Sequence, residues 1–326
     1  MAALLEVRNL RTRFYRPGGV VKAVDGITYS LNRGETLGIV GESGSGKSVS
    51  VRSLLGLLRR NGRIEGGEAF FEGRDLLKLS KEELRQVRGR EISMIFQDPM
   101  TSLNPTFRIG RQIMEPPIWH QLMGESEAGE RALALLARVG IPEHKARFFD
   151  YPFQFSGGMR QRAMIAMALA CGPKLLIADE PTTALDVTVR AQILNLIQEM
   201  KEEFSMSVII ITHDFGLATN FCDRMIVMYA GQIVESAPTM AFVENALHPY
   251  SQGLLRSTLD VGAGDVRLQP IPGNPPNLIA PPPGCRFHPR CAARQPVCEK
   301  EQPALVRIDD GHEVACHLVA GGVLRV

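Results

Sequence analysis

Apolar residues in this chain fall into short runs broken by glycine-bearing turns. Leu4–Val7, Ile27–Leu31 and Thr36–Val40 read as strands, the last ending at Gly41. A helix is expected from about Lys47 to Leu58. Glu68–Phe71 is a further strand, a short helix opens at the capping box Ser80-x-x-Glu83, and Ile92–Gln97 is strand again. From about Asp98 to Leu169 the period changes to helical. Ala132, Leu135, Leu136 and Val139 recur at helix spacing, with Gly140 placed to end that helix. Alternation returns with the buried strand Leu175–Ala178 and the striped helix of Ile193, Leu196, Ile197 and Met200. The strands Ser207–Thr212 and Arg224–Tyr229 follow, and Ala230-Gly231 turns into Gln232–Glu235. Strands separated by helices imply a parallel sheet covered on both faces, with the central helical block as an inserted subdomain. Beyond Pro249 the regularity fades. Leu268–Pro283 is proline-rich, a linker or an extended ordered arm, and no internal repeat is visible.

Composition narrows the classes. Hydrophobic residues make up 44% of 326, enough for a substantial core. The net charge of +2, from 37 basic and 35 acidic residues, argues against a protein that blankets a phosphate backbone. No apolar run approaches the roughly 18–20 residues that cross a bilayer. Met1–Asn9 lacks a signal-peptide pattern, so a cytoplasmic chain reaching a membrane only through partners is expected. Of six cysteines, Cys171 and Cys222 sit in apolar contexts. Cys285, Cys291, Cys298 and Cys316 crowd the C-terminal part, where a reducing compartment favours metal over disulfides.

Three segments carry chemistry. Gly41, Glu42, Ser43, Gly44, Ser45, Gly46, Lys47 and Ser48 fit G-x-x-x-x-G-K-[ST] between a strand and a helix. Glycines let backbone N–H groups curl around phosphate oxygens, and the helix start, with Val49 in its first turn, adds positive potential. Lys47 is placed for the β- and γ-phosphates of a nucleotide and the Ser48 hydroxyl for Mg²⁺. Asp179 and Glu180 end an apolar strand at the edge where open α/β sheets bind ligands. Asp179 suits Mg²⁺, and Glu180 suits a general base for an attacking water. Ser156, Gly157 and Gly158 open an apolar helix as a second anion-binding start, one that a single chain does not easily fold onto its own phosphate loop.

This order of motifs resembles the nucleotide-binding domain of ABC ATPases over roughly residues 4–258. The resemblance implies an α/β fold: a P-loop domain with an antiparallel β-subdomain, a helical subdomain (about 98–169) and, over 259–326, a cysteine-containing extension. It implies ATP hydrolysis with Mg²⁺, with Gln97 as the glutamine that senses Mg²⁺ and water. Ser156, Gly157 and Gly158 match the signature that clamps the partner subunit's ATP, and Ala184-Leu185-Asp186 matches the D-loop. His213 matches the histidine at the γ-phosphate. Phe14, or its neighbour Tyr15, matches the aromatic under adenine. The signature departs in having Phe155 for the usual Leu and Met159 for the usual Gln.

Phe96–Pro105, Ala178–Asp186, His248-Pro249-Tyr250 and Ile271–Pro276 resemble the oligopeptide and dipeptide importer branch, which also includes nickel and glutathione systems. The branch implies two transmembrane permease subunits, a second and related ATPase chain, and an extracytoplasmic peptide-binding protein. The expected location is the cytoplasmic face of the inner membrane, with no nucleic acid. Asp98–Pro105 is the expected contact for the permease. From the residues alone, the Cys285, Cys291, Cys298, Cys316 set admits a [4Fe–4S] cluster, zinc with help from His288, His312 or His317, free thiols or disulfides. Resemblance to the branch favours the cluster, in a structural role. The competing class is a soluble ABC ATPase acting on nucleic acid or ribosomes. Such proteins carry two cassettes or a coiled-coil insertion, and this chain has neither. An exporter or a metal importer would share the same chemistry.

Overall fold

A computed structural model describes residues 3–182, 186–257, 271–309 and 311–320. The chain divides into two compact units, residues 1–78 with 211–326 and residues 79–210.

The first unit opens with a long hairpin, β1 (Leu5–Arg16) and β2 (Gly19–Leu31), followed by β3 (Thr36–Val40) and helix α1 (Lys47–Leu54). Then come β4 (Gly62–Phe71) and the short β5 (Arg74–Asp75). β2, β1, β4 and β5 form an antiparallel sheet in that order. The strands of the hairpin run well beyond the expected Leu4–Val7 and Ile27–Leu31. Beyond Val7, β1 carries exposed Arg8 and Arg11, and the register with β2 shifts between Val7 and Leu10 and again after Thr12. Each shift inserts a bulge, so the two-residue alternation breaks although the pairing continues. Helix α1 stops short of the expected Leu58, because Gly56 takes a left-handed φ of 60°.

The second unit contains α2 (Lys81–Val87), β6 (Ile92–Ile95), α3 (Pro99–Ser102), α4 (Ile109–Trp119), α5 (Glu125–Arg138), α6 (His144–Arg147), α7 (Gly157–Leu169), β7 (Leu175–Asp179) and α8 (Val187–Phe204). The Ser80 capping box forms as read: the Ser80 hydroxyl accepts from the Glu83 N–H, and the Glu83 carboxylate accepts from Ser80. α4 and α5 pack on α7. The wholly buried β7 lies between the parallel β6 and the following strand β8 (Ser207–Thr212). Gly140, at φ 73°, ends α5 one residue after its cap Val139.

The chain returns to the first unit within β8. α9 (Phe215–Phe221), β9 (Arg224–Tyr229), β10 (Gln232–Pro238), α10 (Thr239–Glu244) and α11 (Pro249–Arg256) follow. The sequence reads the tail as irregular, yet β11 (Val306–Asp309) and β12 (His312–Val314) extend a sheet, and α12 (His317–Ala320) ends the described chain. The order in this unit is β11-β12-β10-β9-β3, with β3 and β9 parallel. Glu235 explains why the tail adheres here. Its fully buried carboxylate accepts from the Leu247 and His248 N–H groups and pairs with His312 on β12. A buried carboxylate needs such saturation to remain in a core. Residues 271–283 run as an ordered arm beside β2, where the Lys22 N–H donates to the Leu278 carbonyl.

Candidate functional site

The phosphate loop is built by exclusion of side chains. β3 is buried throughout and delivers Gly41 at φ 147°, where a Cβ would lie 2.2 Å from the Met228 carbonyl oxygen. Gly46, at φ 104°, would place a Cβ 2.4 Å from the Ala23 carbonyl. Only glycine fits either position, so the backbone of the loop is fixed by its neighbours. Gly46 is also the N-cap of α1 and supplies no side chain to satisfy the first amides of the helix. Lys47 is 4% exposed, and its ammonium donates to the carbonyls of Gly41 (2.6 Å) and Glu42 (2.9 Å). Ser45 is equally buried, and its hydroxyl has no hydrogen-bond partner among the described residues. A buried hydroxyl, a buried ammonium and a helix start with no side-chain cap are together suited to an anion. Ser43 and Gly44 are exposed at its mouth, and Ser48 and Val49 occupy the first turn of α1.

Elsewhere in the same unit, the half-buried Phe14 on β1 pairs with Gly62 of β4, against which its ring packs. Tyr15 is more exposed, but its hydroxyl donates to Glu65, and Arg63 lies over its ring at 5.3 Å. His213 follows β8 directly and is exposed, while its neighbour Asp214 caps α9 by accepting from the Leu217 N–H.

In the second unit Asp179 is fully buried at the end of β7. Glu180 follows at φ 51°, a strained left-handed backbone for a residue with a side chain. Its carboxylate accepts from the Gln97 side-chain amide at 2.9 Å. The structure thus joins two residues 83 positions apart, each singled out separately by the sequence. Ser156 caps α7, its hydroxyl accepting from the Met159 N–H at 3.3 Å, and it stays exposed with Gly157. Among the described residues, a methyl on Gly158 would meet Val189 alone, at an ordinary 3.5 Å. Asp186 is the exposed N-cap of α8, whereas Ala184 and Leu185 of the expected D-loop lie outside the described residues.

The metal assignment of the tail is corrected. Among the described residues no group of three or more His, Cys, Asp or Glu side chains is placed to hold a metal ion. The iron–sulfur cluster, the zinc alternative and the metal-binding role of Cys285, Cys291, Cys298 and Cys316 are therefore withdrawn. The cysteines are free, and they share with His288 and His317 the wall of an apolar cavity of about 10 Å³, the room of a single water. Burial pushes the Cys285 thiol up to about 11 and raises Cys291 and Cys316 as well, so these free thiols stay protonated at neutral pH. Cys316 packs with Leu247, Val314, Leu318 and Val319. The three histidines offered as substitute ligands are engaged elsewhere: His288 with the Cys285 carbonyl, His312 with Glu235 and His317 with the Glu301 carbonyl.

Sequence reasoning missed two arginines. Arg286 pairs with Asp25 and donates to the Ala230 carbonyl. Arg290 makes a forked contact with Glu42 of the phosphate loop. Nothing in the local sequence flags either residue, because their carboxylate partners, Asp25 and Glu42, are 261 and 248 positions away.

Residues 24–183 match the family described as ABC transporter, and residues 234–298 match the oligopeptide/dipeptide transporter C-terminal region. The oligopeptide transport ATP-binding protein OppD of Salmonella typhimurium is 51% identical over 96% of this chain and 93% of its own length. The dipeptide transport ATP-binding protein DppD of Bacillus subtilis is 47% identical over 98% of this chain and 95% of its own. A dimeric post-hydrolysis structure of the ATP-binding cassette MJ0796 with ADP and phosphate superimposes with a TM-score of 0.65 at 28% identity, covering 72% of this chain and 98% of that one. The chain belongs to the ABC transporter family, among the oligopeptide and dipeptide transport ATP-binding proteins.

Proposed function

We propose that this chain is the ATP-binding and ATP-hydrolysing subunit of a peptide importer, working at the cytoplasmic face of the inner membrane. No helix among the described residues is long and apolar enough to cross a membrane, so the transport path belongs to two permease subunits. A second, related ATPase chain completes the pair, and an extracytoplasmic peptide-binding protein delivers cargo. Residues 1–258 form the ATPase domain, with its helical subdomain at about 98–169, and residues 259–326 form the extension. Nucleic acid has no part in this reading. The single observation carrying it is likeness to oligopeptide and dipeptide transport proteins along almost the whole chain, extension included.

The residues take the following roles. The amides of Gly41, Glu42, Ser43, Gly44, Ser45, Gly46, Lys47, Ser48 and Val49 and the Lys47 ammonium neutralise the phosphates. In doing so Lys47 exchanges its carbonyl partners for phosphate oxygens. Phe14 supports the adenine. The Ser48 hydroxyl, the Gln97 amide oxygen and the Asp179 carboxylate are the hard oxygen donors that suit Mg²⁺. When bound, that ion supplies charge compensation for the β- and γ-phosphates. Glu180 takes the proton of the attacking water, and the Gln97 amide fixes the carboxylate for that task. His213 contacts the γ-phosphate. Ser156, Gly157 and Gly158 close on the nucleotide held by the partner ATPase. Hydrolysis thus requires two subunits, and its energy resets the permeases.

Uptake of labelled dipeptides and oligopeptides in cells lacking the chain, restored by wild type but not by Lys47→Ala or Glu180→Gln, tests this. Restored uptake of nickel or glutathione with none of peptides would overturn the cargo. Restored uptake by both variants would overturn the catalytic assignment.

A further inference from the structure

The phosphate loop contains an acid. Glu42 follows Gly41 directly, so a carboxylate sits within the segment that must receive a triphosphate. Left bare, it would repel the ligand the loop is built to hold.

The C-terminal extension answers that charge. The side chain of Arg290 is 5% exposed and donates through both terminal nitrogens to Glu42, at 2.7 and 2.9 Å. Its remaining N–H groups reach the carbonyls of Pro272 (2.8 Å) and Ile271 (3.3 Å) and the Tyr229 hydroxyl (3.4 Å). This two-pronged contact fixes direction as well as charge. A second contact holds the backbone of the same residue: the Glu42 N–H donates to the Tyr250 hydroxyl at 2.8 Å. Tyr250 is fully buried on α11 and packs on Tyr229 and Phe287, so the acceptor is rigid. Side chain and backbone of Glu42 are thus both gripped from beyond residue 248, by parts of the chain that supply none of the nucleotide-binding motifs.

We propose that Arg290 is a positioning residue for triphosphate binding: by masking the Glu42 carboxylate it makes ATP affinity depend on how the C-terminal extension is docked. This rests on the reading of the chain as an ATP-binding subunit. Arg290 touches no phosphate and acts through Glu42. The effect grows with the charge of the ligand, being largest for ATP, smaller for ADP and absent for adenosine. A purely structural arginine would weaken all three alike.

The test is calorimetric titration of the full-length chain with MgATP, MgADP and adenosine. Wild type is measured first, and failure to bind MgATP would remove the ATP-binding reading itself rather than this inference. Arg290→Met is expected to weaken MgATP about tenfold and MgADP less, the scale of one exposed like charge near the ligand. Adding Glu42→Gln to Arg290→Met is expected to return most of that loss, since the unmasked charge is gone. Arg290→Lys, which keeps the charge and loses the fork, falls between. Melting curves of each variant separate masking from unfolding. An Arg290→Met chain with wild-type MgATP affinity overturns the proposal. So does a loss equal for all three ligands, or one that Glu42→Gln does not return.

Discussion

Helices α1 and α7 both begin at glycines and are both assigned to phosphate, yet they are made in opposite ways. At α1 the start is finished by its own chain. Gly46 is forced by the Ala23 carbonyl, Lys47 is folded inward, and the Ser45 hydroxyl is buried without a partner among the described residues. At α7 the start is open. Ser156 supplies its own cap, Gly157 is exposed, and among the described residues nothing forbids a side chain at Gly158. A glycine demanded by its own fold speaks of a site the chain builds alone. A glycine that the described residues do not demand leaves room for a reason outside the chain, such as the clamp on a partner's nucleotide proposed for α7.

The largest effect should come from breaking the first kind. Gly46→Ala forces a left-handed alanine against a backbone carbonyl. It should cost about 3 kcal/mol of stability or more. MgATP binding should fall more than about a hundredfold, because the amide cradle no longer closes. Urea denaturation and titration check both numbers. An alanine variant with wild-type stability would mean that the loop is not locked as described.

Helix α11 supplies a third kind of start and the next effect. Its cap is His248, whose Nδ1 accepts from the Tyr250 N–H at 3.0 Å, so the imidazole must be neutral. Burial lowers its pKa from near 6.5 to about 4, against the opposing pull of Glu235. The unfolded chain therefore binds the proton more readily than the folded one. Stability from this group is fully present above about pH 6.5 and is lost as pH falls towards 4, by up to about 3 kcal/mol. Urea midpoints between pH 4.5 and 7.5 should fall with acid, and His248→Asn, which keeps a capping acceptor, should flatten the slope. Because Tyr250 also accepts from the loop at Glu42, MgATP affinity should weaken over the same window.

These three starts also explain what was legible in the sequence. The phosphate loop is contiguous, and its chemistry belongs to the backbone, so spacing alone locates it. β3, β8 and β9 match their expected bounds because sharp features end them, such as Gly41 after β3 and the left-handed Ala230 after β9. The Gln97–Glu180 contact was legible only as two separate residues, since long-range approach leaves no local trace. The tail misled for the same reason. Four cysteines at irregular spacing look like a ligand set, yet spacing does not say whether thiols are placed to hold an ion or only line an apolar cavity. β11 and β12 leave no local trace because the edge that β12 pairs with, β10, and the buried Glu235 that binds His312 lie some 77 positions away.

Gly158→Ala tests the second kind of start with a smaller change in stability and of opposite sign. Alanine inside a helix is better than glycine by up to about 1 kcal/mol, and the site has room for the methyl group. The isolated chain should melt slightly higher. If α7 clamps the partner's nucleotide as proposed, ATP turnover by the assembled transporter should nevertheless fall at least about tenfold, because the methyl group would intrude on the approaching phosphate. A more stable chain with full turnover would remove the clamp from Gly158.

The smallest change in stability separates the two duties of Ser156. As a cap its hydroxyl satisfies the Met159 N–H, but Ser156 is exposed, and water can replace that bond. Glycine tolerates the extended backbone of this cap, so Ser156→Gly should cost only a few tenths of a kcal/mol. If the hydroxyl also meets the partner's γ-phosphate, turnover should fall far more than that cost implies, while single-chain binding of MgATP holds. If turnover follows stability instead, the exposed amides of α7 carry the anion by themselves and the hydroxyl is only a cap. The contrast between a start built for its own chain and one built for another would then rest on Gly157 and Gly158 alone.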